Sequence, residues 1–486
     1  MKKISINEWM FGLIFLFMMV GASIYPNYAA DTYATLDHPA EAAVDMLTRN
    51  GRPVTALIYE LSVLLHIEGI TLIWTYTILG IGCLYLAIML YENSLHKYIS
   101  NDILRCLIAT LAICNIYIIE YMLFLEKIAF MLAILCAVIA YRQLQVMIEE
   151  NRRSYFFHIS IIVFSLIACV NCYQPTLSLF IVLLLPIILR KNIHVREKLK
   201  WLATCSLMYG LAGVANLAIL SLSESTRTDS TCTLYEIIKS FFILPLNTIH
   251  TCGIMPKWFW IGIVIIIAGA ILSASKKVIG RWNALINITV IGLLTEICVL
   301  IPFILGVGSY IPRVLYVIAY LPMILVVYGY TNHIFNGTRS IDVGKESKLM
   351  MIFLTLILIV TSCSFNQIYK DKYITNALDE YRCHIIGEAI REYEHKSGKT
   401  IRRIAFYEDQ QLDEYNLILK TNPHFRYSAF KTFWSDLNAI NYYLGTNYTR
   451  CDEVEEISKQ FKKQDWKCMS NKQLIFDGET LHICNY

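Results

Sequence analysis

The chain has 486 residues, of which 56% are hydrophobic and 16% charged, and its mean hydropathy is +0.50. Those values lie outside the usual range of soluble domains. A net charge of only +4 gives no support for nucleic acid as a partner. The apolar residues come in long blocks, and about 20 of them in a row suffice to cross a bilayer. A polytopic helical membrane protein is therefore expected.

The N-terminus carries Lys2 and Lys3, an apolar run from Trp9 to Tyr25, and then Asn27-Tyr28-Ala29-Ala30. This order resembles a signal peptide. The run is long for such a leader and many apolar blocks follow, so an uncleaved first span over 9–25 is expected. Further spans are expected near residues 69–91, 103–119, 121–141, 155–171, 175–189, 201–222, 258–275, 284–305, 314–330 and 349–366, about eleven in all. Segment 54–67 is apolar but too short to span. It predicts an interfacial or re-entrant helix with Glu60 on its polar side.

With a cytoplasmic N-terminus, the predicted inner segments hold 17 Lys and Arg and the outer ones hold 7. The bias follows the positive-inside rule. Arg105 is left out of that count, as a helix-end residue able to snorkel inward. Loop 26–68 and the tail then lie outside, extracellular or periplasmic. The tail loses the block pattern. Residues 376–396 have helical spacing, 403–407 read as a strand, 431–444 and 452–465 as helices, and QLIFDGETLHICNY as a hairpin around Asp477-Gly478. The predicted organisation is a multi-span module over 1–368, with external loop 26–68, and a small external α/β domain over 369–486.

Six cysteines fall outside the spans, all on the predicted outer side: Cys232, Cys252, Cys383, Cys451, Cys468 and Cys484. They permit a Cys232–Cys252 pair and two pairs within the tail. They equally permit six free thiols, and spacing does not decide.

No phosphate-cradling glycine loop, paired CxxC, HExxH or GxSxG occurs. Polar chemistry is instead concentrated in ADTYATLDHPAEAAVDMLTRNGRP, from Ala30 to Pro53. This loop holds the carboxylates Asp31, Asp37, Glu41 and Asp45 with the arginines Arg49 and Arg52. A carboxylate can take the proton of an acceptor hydroxyl, and cations can stabilise a departing phosphate. The plain alternative is a solvated loop whose charges face water. Inside the spans, Glu296 (LLTEICVL) is an intramembrane acid, which is either functional or a partnered structural carboxylate. Arg313 opens a late span and could bind a lipid phosphate or anchor at the headgroups. Tyr173-Gln174-Pro175 forms an external turn set by Pro175. Tyr173 and Gln174 could line a sugar site, although an interfacial tyrosine needs no function.

At these residues the chain resembles bacterial membrane glucosyltransferases of the O-antigen type II glucosyltransferase family, within the GT-C class. In that family an acidic motif follows the first span, and a Gly-Arg-Pro or Gly-Arg-Trp and an apolar helix come about twenty residues later. Asp31 and Asn50-Gly51-Arg52-Pro53-Val54, followed by TALIYELSVLL, stand at that spacing. Tyr173-Gln174 matches a mid-chain Tyr-Gln pair, and Arg313 an arginine opening a late span. Arg426-Tyr427-Ser428-Ala429-Phe430 is similar to the family's C-terminal segment. One departure stands out: the family often has two adjacent acids followed by an arginine, whereas Ala30-Asp31-Thr32-Tyr33 keeps one acid. The base is thus open among Asp31, Asp37 and Glu41.

The resemblance implies a GT-C-like fold and an integral-membrane glycosyltransferase. Sugar, glucose above all, would pass from a polyprenyl-phosphate donor to a surface glycan acceptor on the outer face, with inversion. Asp31, Asp37 or Glu41 would act as base, Arg49, Arg52 and Arg313 would hold the donor phosphate, and Tyr173, Gln174 and Glu296 would contact substrate. No metal ligand set stands out, although the carboxylates could hold Mg or Mn. The rival expectations are a transporter or flippase of lipid-linked oligosaccharides, a polysaccharide polymerase or ligase, and a receptor or scaffold. A transporter would more often show internal repeats and broken midplane helices, and neither is evident.

Overall fold

A computed structural model of the chain describes Gly12 and residues 27–37, 40–150, 155–222, 233–250, 255, 258–302, 311–335, 343–408, 419, 421, 427–461 and 471–485. Apart from Gly12, the predicted first span over 9–25 lies outside the described residues, as do Cys232, Cys252 and Cys468. Among the described residues, five helices are long and apolar enough to cross a membrane: Gly69–Leu95, Lys127–Glu149, Val195–Leu222, Arg281–Ile301 and Lys348–Ser397. Shorter apolar helices cover Pro53–Leu64, Phe156–Cys172, Gln174–Ile188, Phe259–Ala274 and Leu315–Thr331. The long helices carry apolar residues on their exposed faces. Examples are Ile78, Leu79 and Leu86, then Leu207, Leu211 and Val214, then Ile352, Leu356 and Ile359. Water does not favour such stripes, whereas lipid does.

The chain divides into two compact units. The first holds Val44–Met122 and Glu126–Asn366, besides the N-terminal stretch. In it, helix Gly69–Leu95 packs along Lys127–Glu150, which packs in turn along Tyr155–Cys172. Gly80 lies at the first contact, where a Cβ would make ordinary van der Waals contact with Met131 Cγ (3.4 Å) and Ile128 Cα (3.6 Å). Tyr91 and Tyr141 meet edge to face at 5.5 Å, and the Tyr141 hydroxyl lies 3.0 Å from Ser94 Oγ.

Four sequence expectations need correction here. The predicted span 103–119 is helical only over Asp102–Ile113. The chain turns at Asn115, whose Nδ2 donates to the carbonyls of Ala112 and Tyr316 and whose Oδ1 accepts from the Tyr117 N–H. After a short helix over Ile118–Leu123, the helix expected from 121 begins only at Lys127. Lys127, expected in an outer loop, is fully buried and donates to Thr77 Oγ1 at 3.2 Å. Arg105 does not snorkel. It is buried, with Nε 2.6 Å from Glu92 Oε1 and Nη2 2.7 Å from Asp102 Oδ1, and it also donates to the Ile99 and Ser100 carbonyls. Pairing and backbone bonds offset the loss of hydration that burial imposes.

Helix Pro53–Leu64 behaves as its length predicts. Thr55, Ala56, Tyr59 and Ser62 are buried. Leu57, Leu61, Leu64 and Glu60 are exposed. The leucines face outward, and Glu60, expected on a separate polar side, shares their exposed face because it lies three residues from Leu57 and four from Leu64.

The second unit holds Ile24–Ala43, Leu123–Leu125 and Gln367–Tyr486. Its spine is the later part of the 55-residue helix Val343–Ser397. The span expected over 349–366 and the tail helix expected over 376–396 are thus one element, because residues 367–375 contain no Pro or Gly to break the helix. Four strands follow among the described residues: β1 (Arg403–Glu408), β2 (Thr449–Arg450), β3 (Leu474–Asp477) and β4 (Thr480–Asn485). Their order is β2-β1-β4-β3, with β1 parallel to β2 and β4, and β3 antiparallel to β4. Gly478, at φ +60°, makes the expected tight hairpin, with Asp477 opposite Thr480. Helices Asp436–Leu444 and Glu455–Phe461 match the two expected in the tail.

Cys383 and Cys451 are free thiols, so the two pairs considered within the tail do not both form. Cys484 packs with Ala405, Tyr407, Ile457 and Phe461, and Cys451 packs against that cluster. Both pack there as small hydrophobes.

One buried acid gives this unit a pH dependence. Asp436 accepts from the Leu437 N–H and pairs with Arg450. Burial pushes its pKa up to about 6, against the opposing pull of Arg450. Because the folded value is raised, the stability that Asp436 contributes is present below about pH 4 and is lost as pH rises through 6. Hydrogen exchange along Asp436–Leu444 should quicken from pH 4 to 7, after correction for intrinsic rates, by an amount worth up to about 3 kcal/mol. Asp436→Asn should flatten that profile.

Candidate functional site

The Asn50-Gly51-Arg52-Pro53 motif folds into a braced turn in the first unit. Gly51 sits at φ +72°, where a side chain is disfavoured, and Pro53 opens the next helix. Gln174 Nε2 donates to the carbonyls of Asn50 (3.2 Å) and Gly51 (2.9 Å). Asn216 Nδ2 donates to the Gly51 carbonyl and to Asn171 Oδ1, both at 3.0 Å. The turn therefore presents Arg52 from a fixed frame. The Arg52 guanidinium lies 5.2 Å from the Tyr173 ring centre and 5.8 Å from that of Phe130, with Nη1 3.7 Å from Glu126 Oε1. Among the described residues, Arg52 Nε is buried with no hydrogen-bond partner.

Arg313 belongs to the same aromatic cluster. Tyr121 meets Tyr173, Phe130 and Tyr316 at centre distances of 5.3, 5.2 and 4.9 Å. The Tyr121 hydroxyl donates to the Arg313 carbonyl at 2.8 Å. Glu120 answers the Arg313 side chain, with Oε1 3.0 Å from Nη1, and its Oε2 accepts from the Arg313 backbone N–H. Two arginines, two buried acids and a tyrosine-rich wall are thus connected. Arg–carboxylate and cation–π geometry also suits a bound phosphate, which can exchange with the carboxylate. Of the predicted site residues, Arg52, Arg313, Tyr173 and Gln174 come together. Glu120, Glu126 and Phe130 were not singled out from sequence. Their signal was present in IIEYMLFLEKIAF, but misplaced span boundaries hid the turn that carries them.

The remaining first-unit candidates lie elsewhere. Arg49 pairs with Asp45 at 2.8 Å on an exposed helix face. Helix Ala40–Arg49 replaces the expected loop because Ala, Glu, Leu and Arg favour helix. Glu296 is half-buried on helix Arg281–Pro302, and its Oε1 has no hydrogen-bond partner among the described residues. That helix is tied to the Gln174–Ser178 turn by Ser178 Oγ donating to the Cys298 carbonyl at 2.7 Å.

Asp31 belongs to the second unit, in the first turn of helix Ala30–Asp37, which also replaces loop. Its Oδ1 accepts from Trp434 Nε1 at 2.9 Å. The buried ammonium of Lys372 lies in the field of Asp31 and Asp379 and donates to the Tyr427 carbonyl at 2.7 Å. Asp379 accepts from Ser428 Oγ (2.5 Å) and the Ala429 N–H (2.9 Å), and Arg382 lies 5.5 Å over the Phe430 ring. One helix thus grips Tyr427-Ser428-Ala429-Phe430, the stretch just before Trp434. On the other side, Tyr28 and Tyr33 stack on each other and meet Tyr442 and Tyr443 at tilted angles, while Asn376 bonds the Tyr28 backbone twice. The side chains of Asp37 and Glu41 lie outside the described residues. Trp434 and Lys372 gave no local sequence signal, since the first is 403 residues from its partner.

Among the described residues, no three His, Cys, Asp or Glu side chains gather to hold a metal ion. No protein-family model matches the chain, and no curated protein matches it.

The Gly51 turn gives a direct structural test. A Cβ at this position would lie 2.7 Å from both Gln174 Nε2 and Leu220 Cδ2, on a backbone that already disfavours it. Gly51→Ala should lower the stability of the detergent-purified protein by about 1–3 kcal/mol in thermal unfolding.

Proposed function

We propose that the chain is an integral-membrane glycosyltransferase that moves a sugar, glucose by the family resemblance, from a polyprenyl-phosphate donor to a surface glycan. The observation that carries this reading is the pairing of Arg52 and Arg313 across one tyrosine cluster, on the residues whose spacing resembles the family motif. Two guanidinium groups suit the phosphate that leaves with the polyprenyl chain. Arg49 is dropped from that role, because its charge is met by Asp45 at the surface. Tyr173 and Gln174 frame the phosphate site, and Glu296 is reserved for a sugar hydroxyl. The charge bias of 17 against 7 supports placing this chemistry on the outer face.

Asp31 acts as the base. As the acceptor hydroxyl oxygen attacks the anomeric carbon, Asp31 takes the hydroxyl proton. The bond from that carbon to the phosphate oxygen breaks with inversion, and the phosphate departs as its polyprenyl ester. Asp31 suits this role because the neutral Trp434 indole holds one of its oxygens in place.

The test uses purified protein, a labelled polyprenyl-phosphate glucose and the surface glycan. Transfer with inversion is expected, whereas movement of the lipid-linked sugar without transfer would favour a transporter. Asp31→Asn should cut transfer by about 100-fold or more, and full activity in a folded Asn variant would remove Asp31 as base. Arg52→Ala should cut transfer by about 10- to 1,000-fold, with partial retention in Arg52→Lys.

A further inference from the structure

In the second unit, Phe433 is 74% exposed and its neighbour Trp434 47% exposed. Two adjacent large aromatics on a surface call for a partner. Neither hangs loosely. Their rings meet edge to face at 5.1 Å, and the Trp434 N–H is held by Asp31 at 2.9 Å. The Phe433 carbonyl accepts from Arg450 Nη2 at 2.7 Å, and the following Ser435 Oγ donates to the Ala429 carbonyl at 2.7 Å. The pair is therefore pre-organised, which lowers the entropy cost of binding.

We propose that Phe433, Trp434 and Asp31 form a carbohydrate subsite that docks the acceptor glycan. A pyranose presents an apolar C–H face and a hydroxyl edge. The first stacks on an aromatic ring, and the second donates to a carboxylate. Both groups stand here side by side, with the carboxylate fixing the ring. The rival occupant is the lipid headgroup layer. Belt tryptophans leave the indole N–H for headgroups and water, whereas this N–H is taken by Asp31. The carboxylate beside the ring, Asp31, would also be repelled by anionic lipid. The identity of the occupant as acceptor rests on the glycosyltransferase reading, but the presence of a sugar subsite does not.

The experiment measures binding of neutral gluco-, manno-, galacto- and N-acetylhexosamine oligosaccharides to the full-length protein in nanodiscs. It is run for wild type, Trp434→Ala, Trp434→Phe and Phe433→Ala, with thermal midpoints as the folding control. At least one oligosaccharide should bind. Trp434→Ala should weaken it about tenfold, and Trp434→Phe, which keeps a ring but loses the bond to Asp31, should weaken it less. Absence of binding by every oligomer, or equal binding by folded Trp434→Ala, would overturn the subsite. So would quenching of the Trp434 contribution to emission by brominated lipids. If sugar binds at Trp434 while labelled donor is never transferred, the subsite stands and the glycosyltransferase reading fails. If transfer occurs and Trp434→Ala binds acceptor like wild type, the reverse holds.

Discussion

A charge among apolar helices costs several kcal/mol unless it is paired, and the first unit is arranged around meeting that requirement. Arg105 meets Glu92 and Asp102, Arg313 meets Glu120, and Arg52 meets Glu126 and two aromatic rings. Each pair also uses backbone or ring contacts, so none of these three arginines depends on a single partner. Apolar side chains are then free to face outward, as Leu57, Leu61 and Leu64 do beside the Gly51 turn. The arginines that suit phosphate chemistry are thus held by the same contacts that make their burial tolerable.

The second unit solves a different problem, that of anchoring a segment with little regular structure. Helix Val343–Ser397 does so with a buried polar stripe: Lys372, Asn376, Asp379 and Arg382. Each grips a backbone group, a hydroxyl or a ring of a segment distant in sequence. Hydrogen bonds fix register where hydrophobic contact alone would permit sliding. Register matters here because the gripped stretch ends at Trp434, whose N–H must reach Asp31.

The legible parts of the sequence were those governed by local rules. Apolar blocks gave the helices and Asp477-Gly478 gave the hairpin, while Asn50-Gly51-Arg52-Pro53, singled out by the resemblance alone, does meet Tyr173 and Gln174. Boundaries were less legible, because an apolar run does not reveal where Asn115 bends it. The loop from Ala30 was read as irregular because its charges suggested water, yet its alanines and leucines outweigh them and make two helices. Long-range partners such as Trp434 and Asp31 left no periodic trace at all.

The arrangement also separates the acids by availability. Both oxygens of Glu120 are engaged by Arg313, one by the side chain and one by the backbone. Such a carboxylate neutralises and orients, and to take a proton it would first have to release a cation. Asp31 has a neutral donor on one oxygen and sits in a solvent-exposed contact. Moving a proton off a hydroxyl calls for an acceptor that a substrate can reach and that need not break an ion pair first. By that criterion Asp31 is open to a proton from a neighbouring hydroxyl, whereas Glu120 is committed to holding Arg313 in place.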